Sequence, residues 1–191
     1  MRDIIKAGLI LCVISFIVTL ALAFTHWATE DIIEERRLEK EREAREQVMS
    51  FVDSFEELNG VECSLDMVKG VYNGISDGDV VGRVFMVEGR GYGGPINMTV
   101  GIDNNGKITG VNIIDNQETP GLGTKIAEED FLIQFAGIKP EQPLMAVKNP
   151  PDNDEEIDVA SGATVSSEAV VDAVQAAIDV NKEIINSKGA L

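Results

Sequence analysis

The 191-residue chain is poor in the side chains that hold metals and in those that hold nucleic acid. It has two cysteines, Cys12 and Cys63, and one histidine, His26. They form no CxxC, CxxCH or Cys/His spacing, so iron–sulfur clusters, c-type haem and structural zinc are not expected, and no metal site is assigned. Basic residues are scarce: 16 Lys and Arg stand against 33 Asp and Glu, a net charge of −17. A surface of that sign repels phosphate backbones, which argues against nucleic acid as a partner. No GxGxxG opens a helix pattern, so the dinucleotide-binding fingerprint is missing too.

One long apolar run is present. Residues 4–24 read IIKAGLILCVISFIVTLALAF, and no charge follows Lys6 until Glu30. At helical rise this run spans a hydrocarbon layer, with His26 and Trp27 placed at the headgroups. Ala21-Leu22-Ala23 also fits a signal-peptide cleavage site. The run exceeds a usual signal core and continues into a charged helix, so residues 1–27 are expected to form an uncleaved anchor. Arg2, Lys6 and the α-amine precede it, and Glu30, Asp31, Glu34 and Glu35 follow it. That asymmetry predicts a cytoplasmic N-terminus with the bulk of the chain outside, in the cell (inner) membrane.

Residues 28–58 read as a charged juxtamembrane helix, with i,i+4 pairs Glu41/Arg45 and Arg42/Glu46. Its second half gains Val48, Met49, Phe51, Val52, Phe55 and Leu58, a face able to pack on a domain. Residues 59–191 form that domain. Residues 60–79 are turn-rich, and Cys63 is expected to be a small, partly buried residue. Strand character follows over 80–88. Ile96, Met98, Val100 and Ile102 then alternate with Asn97, Thr99, Gly101 and Asp103, the pattern of a half-buried strand. Asn105-Gly106 signals a hairpin turn into a return strand over 107–115. A short helix is expected over 126–135. Residues 139–156 read as a loop around one strand at 144–147, and 165–186 as a helix. The expected fold class is α+β: a single transmembrane helix and stalk, then an antiparallel sheet packed with flanking helices.

Three glycine-bearing stretches are candidate sites. GRGYGGPI (89–96) joins two strands, and its glycines permit positive φ and close backbone approach. ETPGLG (118–123) is a turn with an apolar Leu122 free to lie on a flat ligand, and Lys125 stands nearby to meet an anion. DVASGAT (158–164) opens the last helix, whose unpaired N–H groups and positive dipole end suit a phosphate. Each has a plainer reading as a turn or a helix cap, with Ser161 or Thr164 as N-cap. Ser166 and Ser167 read as first-turn residues of that helix.

Together the stretches resemble the FMN-binding domain that recurs in the G subunit of the Rnf electron-transport complex and in the C subunit of the sodium-pumping NADH:quinone reductase. The family pattern D-x-x-[ST]-G-A-T is met here without departure, from Asp158 to Thr164. One departure is Asn116, two residues before Glu118, where relatives often carry histidine. The resemblance covers nearly the whole chain and is nearer the Rnf protein in length. It implies FMN attached through its phosphate to Thr164 by a flavin transferase that recognises Asp158. It implies phosphate contacts from Ser161, Gly162 and Ala163, a ring bordered by Glu118, Thr119, Gly121 and Leu122, and Lys125 bonding to the flavin or its phosphate. No side chain is implied as a catalytic acid, base or nucleophile. The other membrane subunits of a ferredoxin:NAD+ oxidoreductase complex, coupled to Na+ or H+ transport, are the implied partners. A stand-alone surface flavin shuttle, a C-type quinone-reductase subunit and a non-redox domain remain open as alternatives.

Overall fold

The computed structural model describes residues 2–58 and 66–188, so the expectation for Cys63 lies outside the described residues. Helix α1 (Arg2–Val48) opens a chain that divides into two compact units, Met1–Lys40 and Glu41–Leu191. In the first, the apolar residues from Ile4 to Phe24 are exposed, and mean hydropathy reaches 2.7, long and apolar enough to cross a membrane. Beyond them, Arg37 pairs with Glu34 at 2.9 Å and Arg36 with Glu39 at 3.3 Å. Such exposed pairs contribute little each, but they suit a solvated helix.

The second unit is built on a five-stranded antiparallel meander, β1 (Ser54–Glu57), β2 (Val68–Ser76), β3 (Asp79–Arg90), β4 (Pro95–Asp103) and β5 (Ile108–Asn116), in that spatial order. After β5 come a 3-10 turn (Gly123–Ala127), the single-turn α2 (Glu129–Leu132) and a second 3-10 turn (Ile133–Phe135). Strands β6 (Met145–Val147) and β7 (Glu156–Asp158) pair in parallel, and α3 (Thr164–Lys188) closes the chain. The α+β architecture matches the expectation.

The charged helix does not run to Leu58. It stops at Val48, and residues 54–57 are the edge strand β1. The apolar residues 48–58 look helical by spacing, yet they serve two elements that bury against one sheet face. Val48 and Met49 pack on Val84, with Val52, Phe55 and Tyr72 around them. Gly74 and Gly82 make the room: a Cβ on either would lie 2.7 Å from Met49. Arg45 lays its guanidinium 4.4 Å from the Tyr72 ring centre, and Arg42 and Glu46 pair at 3.0 Å as expected.

The opposite face holds the main core. Val170, Val174, Ala177 and Ile178 of α3, one helical stripe, pack with Phe85, Ile96, Met98, Val100 and Ile102. Full burial of each Val, Ile, Met or Phe among them contributes about 1.5–3 kcal/mol. Thr99 is fully buried rather than half-exposed, because the end of α1 covers its face and the Ala44 carbonyl accepts its hydroxyl at 3.2 Å.

One hairpin turn was not expected from the sequence, and the expected one at Asn105-Gly106 is present. Asp77 and Gly78 both have positive φ between the paired Ser76 and Asp79, as a two-residue type I′ turn demands. That turn lies in the stretch read only as turn-rich, where Gly70 and Gly74 interrupt the strand pattern of β2. At Asn105-Gly106 only the glycine has positive φ, at 80°. The Gly106 N–H donates to the Asp103 carbonyl, and the Asp103 carboxylate accepts from Asn105 and Lys107 N–H. The turn is the longer type with a glycine bulge.

Candidate functional site

The three glycine-bearing stretches converge. A cavity of about 350 Å³ is lined by Tyr92 from the β3–β4 hairpin, Glu118, Thr119, Leu122 and Gly123 from the loop after β5, and Gly162 to Ser166 at the start of α3. Of the residues expected there, Glu118, Thr119, Leu122, Gly162, Ala163 and Thr164 line it; Gly121, Ser161 and Lys125 do not, and Asp158, expected to meet the flavin transferase, also lies outside the lining.

The residues outside the lining hold the loops in place. The Lys125 ammonium donates to the Ser161 carbonyl at 3.0 Å, so it clasps the SGAT loop from the neighbouring turn. Gly121 (φ 75°) and Gly162 (φ 84°) take the left-handed conformation their turns require. A Cβ at Gly162 would also lie 3.1 Å from Leu122. The backbone of Asp158 is held by Gln134: its N–H donates to Oε1 at 2.8 Å, and its carbonyl accepts from Nε2 at 3.2 Å. The Asp158 side chain stays exposed.

Helix α3 starts at Thr164, so the flanking position is Ala163, and neither Ser161 nor Thr164 acts as its N-cap. Instead the Ala163 N–H closes a turn on the Ala160 carbonyl, and the Ser167 hydroxyl accepts from the Ala160 N–H at 3.0 Å. The first helical hydrogen bond runs from the Ser167 N–H to the Ala163 carbonyl. The N–H groups of Thr164, Val165 and Ser166 therefore point out of the helix end unpaired within it. Thr164 is half-buried, and among the described residues no protein group bonds its hydroxyl.

Glu118 organises the centre. It is 6 % exposed. Its Oε1 accepts from the Gly93 N–H at 3.2 Å, and its Oε2 from the Ser166 hydroxyl at 2.9 Å. Asn116, at the position of the family departure, accepts the Glu118 N–H on its side-chain oxygen at 3.2 Å. Through the Ser166 hydroxyl, Glu118 sits against the first turn of α3, where a negative charge favours the helix dipole.

The glycines of the hairpin are explained by this packing and not by positive φ. A Cβ at Gly91 would strike the Glu118 carboxylate, and one at Gly93 the Gln117 carbonyl. The hairpin tip is closed by the Gly91 N–H on the Gly94 carbonyl at 2.9 Å, and it presents a Tyr92 that is 79 % exposed. Leu122 and Val165, also exposed at 49 % and 48 %, complete an apolar rim. Tyr92, Gly123 and Val165 were not singled out from the sequence, and Ser166 was read only as a first-turn residue of α3. Tyr92 was the readable one, as the aromatic inside a four-glycine hairpin.

The donor set fits a flavin mononucleotide: a free hydroxyl and unpaired N–H groups at a helix start, beside an apolar rim for a flat ring. Residues 91–179 match the family described as FMN-binding domain, and residues 1–48 match the RnfG N-terminal region. The chain is 34 % identical to the G subunit of the Na(+)-translocating ferredoxin:NAD(+) oxidoreductase complex of Acetobacterium woodii, over 96 % of this chain and 94 % of that one. It is 33 % identical to the G subunit of the ion-translocating oxidoreductase complex of Methanosarcina acetivorans, over 93 % and 94 %. It is 27 % identical to the G subunit of the proton-translocating ferredoxin:NAD(+) oxidoreductase complex of Clostridium ljungdahlii, over 88 % and 86 %. An anchor-like helix, a matching N-terminal region and an FMN-type cavity in one chain make it a member of the G-subunit family of ion-translocating oxidoreductase complexes.

Proposed function

We propose that this chain is a membrane-anchored electron-transfer protein that carries FMN joined by a phosphoester to Thr164. It works within a multi-subunit ferredoxin:NAD+ oxidoreductase complex coupled to Na+ or H+ translocation, the activity in its relatives' names. Residues 1–27 form the anchor and 28–58 the juxtamembrane segment. Residues 59–191, together with the strand β1 that precedes them, carry the flavin on the extracytoplasmic side of the inner membrane.

The observation that carries the reading is the unbonded Thr164 hydroxyl at the open start of α3, on the wall of the cavity. A phosphate there accepts the first-turn N–H groups, with Ser161, Gly162 and Ala163 forming the bend beside it. Attachment needs a flavin transferase. The Thr164 oxygen displaces AMP from FAD at the FMN phosphorus; one P–O bond forms, one breaks, and the hydroxyl proton leaves with the AMP. Asp158, exposed at the end of β7, is free to meet that enzyme. Bound FMN supplies one- and two-electron redox chemistry, while the protein sets its position and surroundings. Leu122 and Tyr92 shield the ring from water, and Lys125 acts on the phosphate loop through the Ser161 carbonyl. A covalent bond keeps the cofactor where free FMN is scarce.

Intact mass tests this. Co-expressed with a flavin transferase, the protein is expected to gain the mass of FMN less one water, with residues 1–27 retained. Thr164→Val is expected to abolish the gain. Persistence of the unmodified wild-type mass, with FAD and transferase present, overturns the reading.

A further inference from the structure

We propose that Glu118 is a positioning residue whose carboxylate, fixed in the cavity wall, lowers the reduction potential of the flavin; this rests on the FMN reading above. Among the described residues lining the cavity, Glu118 is the one charged side chain. Lys125, which follows the same loop, has its ammonium on the Ser161 carbonyl.

The carboxylate cannot swing away. Gly93 and Ser166 each hold one oxygen. Asn116 holds its backbone N–H. The carboxylate itself occupies the space that side chains at Gly91 and Gly123 would need. A buried, immobile charge acts through a lower effective dielectric than one in water, so its field on the cavity is strong. One electron added to the ring adds one negative charge unless a proton comes with it. A fixed carboxylate opposes that charge, and the two donated hydrogen bonds offset only part of the opposition.

The test uses the full-length protein matured with transferase and titrated by spectroelectrochemistry. Glu118→Gln keeps the shape: its oxygen still accepts from Gly93, and its amide donates to the Ser166 oxygen. Its FMN-loaded fraction, identified by intact mass, is the one titrated. Its one-electron equilibrium is expected to shift about tenfold towards reduction, or about 59 mV upward. A loaded Glu118→Gln with unchanged potential overturns the proposal and leaves Glu118 as a bracket between loops. Should Glu118→Gln fail to load, Ser166→Ala decides. It keeps the charge and removes a donor, so the potential is expected to fall; an unchanged or raised potential overturns the proposal. Failure of the FMN reading is separate, since the wild type itself then lacks the flavin mass.

Discussion

Single residues decide how the cavity is walled. Gly93 shows this most directly, because the atom a side chain would strike is the backbone oxygen of Gln117, which cannot rotate aside. Gly93→Ala must move the hairpin tip, with it Tyr92 and the N–H that holds Glu118. The expected cost is about 1–3 kcal/mol, as for an overpacked core. Gly106→Ala is the matched control: that glycine has φ 80° and open space around it, and lies in the hairpin at the other end of β4. Backbone strain there costs about 1–2 kcal/mol. Thermal melting is expected to show both losses, while the flavin mass falls only for Gly93→Ala. Equal loading of the two variants would remove the hairpin from the site.

At the scale of elements, the end of α1 is fastened to the sheet by sheet threonines. The last carbonyls of a helix lack partners within it. Here the Val48 carbonyl accepts the Thr109 hydroxyl at 2.5 Å, and the paired Gly101 and Gly110 let the helix end come that close. Thr109→Val keeps the shape and leaves a buried carbonyl unpaired, so a loss of about 1–3 kcal/mol is expected. The midpoint of denaturant unfolding should fall with an unchanged slope. No loss would mean that this helix end is not docked on the sheet in solution. On the other face, Arg83 of β3 donates to Asn181 of α3 at 3.0 Å. Burial pushes its guanidinium below the usual value. A basic group with a lowered folded value opposes folding while charged, and the penalty fades only as pH rises through that value.

For the whole molecule, charge and hydropathy set the placement. The apolar run carries Arg2 and Lys6 at its start and four acids soon after its end. A reporter joined at the C-terminus is therefore expected to be active only outside the cytoplasm. Activity confined to the cytoplasm would reverse the proposed orientation. The compact second unit starts at Glu41, so the stalk helix and the flavin-type domain share the segment from Glu41 to Val48. An acidic surface suits a domain that works beside other subunits in water.

The features legible in the sequence are those whose causes are local. A charge-free run is apolar wherever it folds, so the anchor-type helix was readable. The alternation of Ile96 to Asp103 and the helical spacing of Val170, Val174, Ala177 and Ile178 likewise predict the elements found. The Thr164 motif was readable because its residues are consecutive. What needed the tertiary structure joins distant segments: Glu118 to Ser166 across 48 positions, Gly93 to Glu118 across 25, and Val48 to Thr109 across 61. Periodicity carries no information about such pairs, because packing and hydrogen bonding select them only after the sheet has closed. The same reason ended the charged helix at Val48. The apolar residues beyond it had two faces to satisfy, and the sheet edge, not helical spacing, settled which they took.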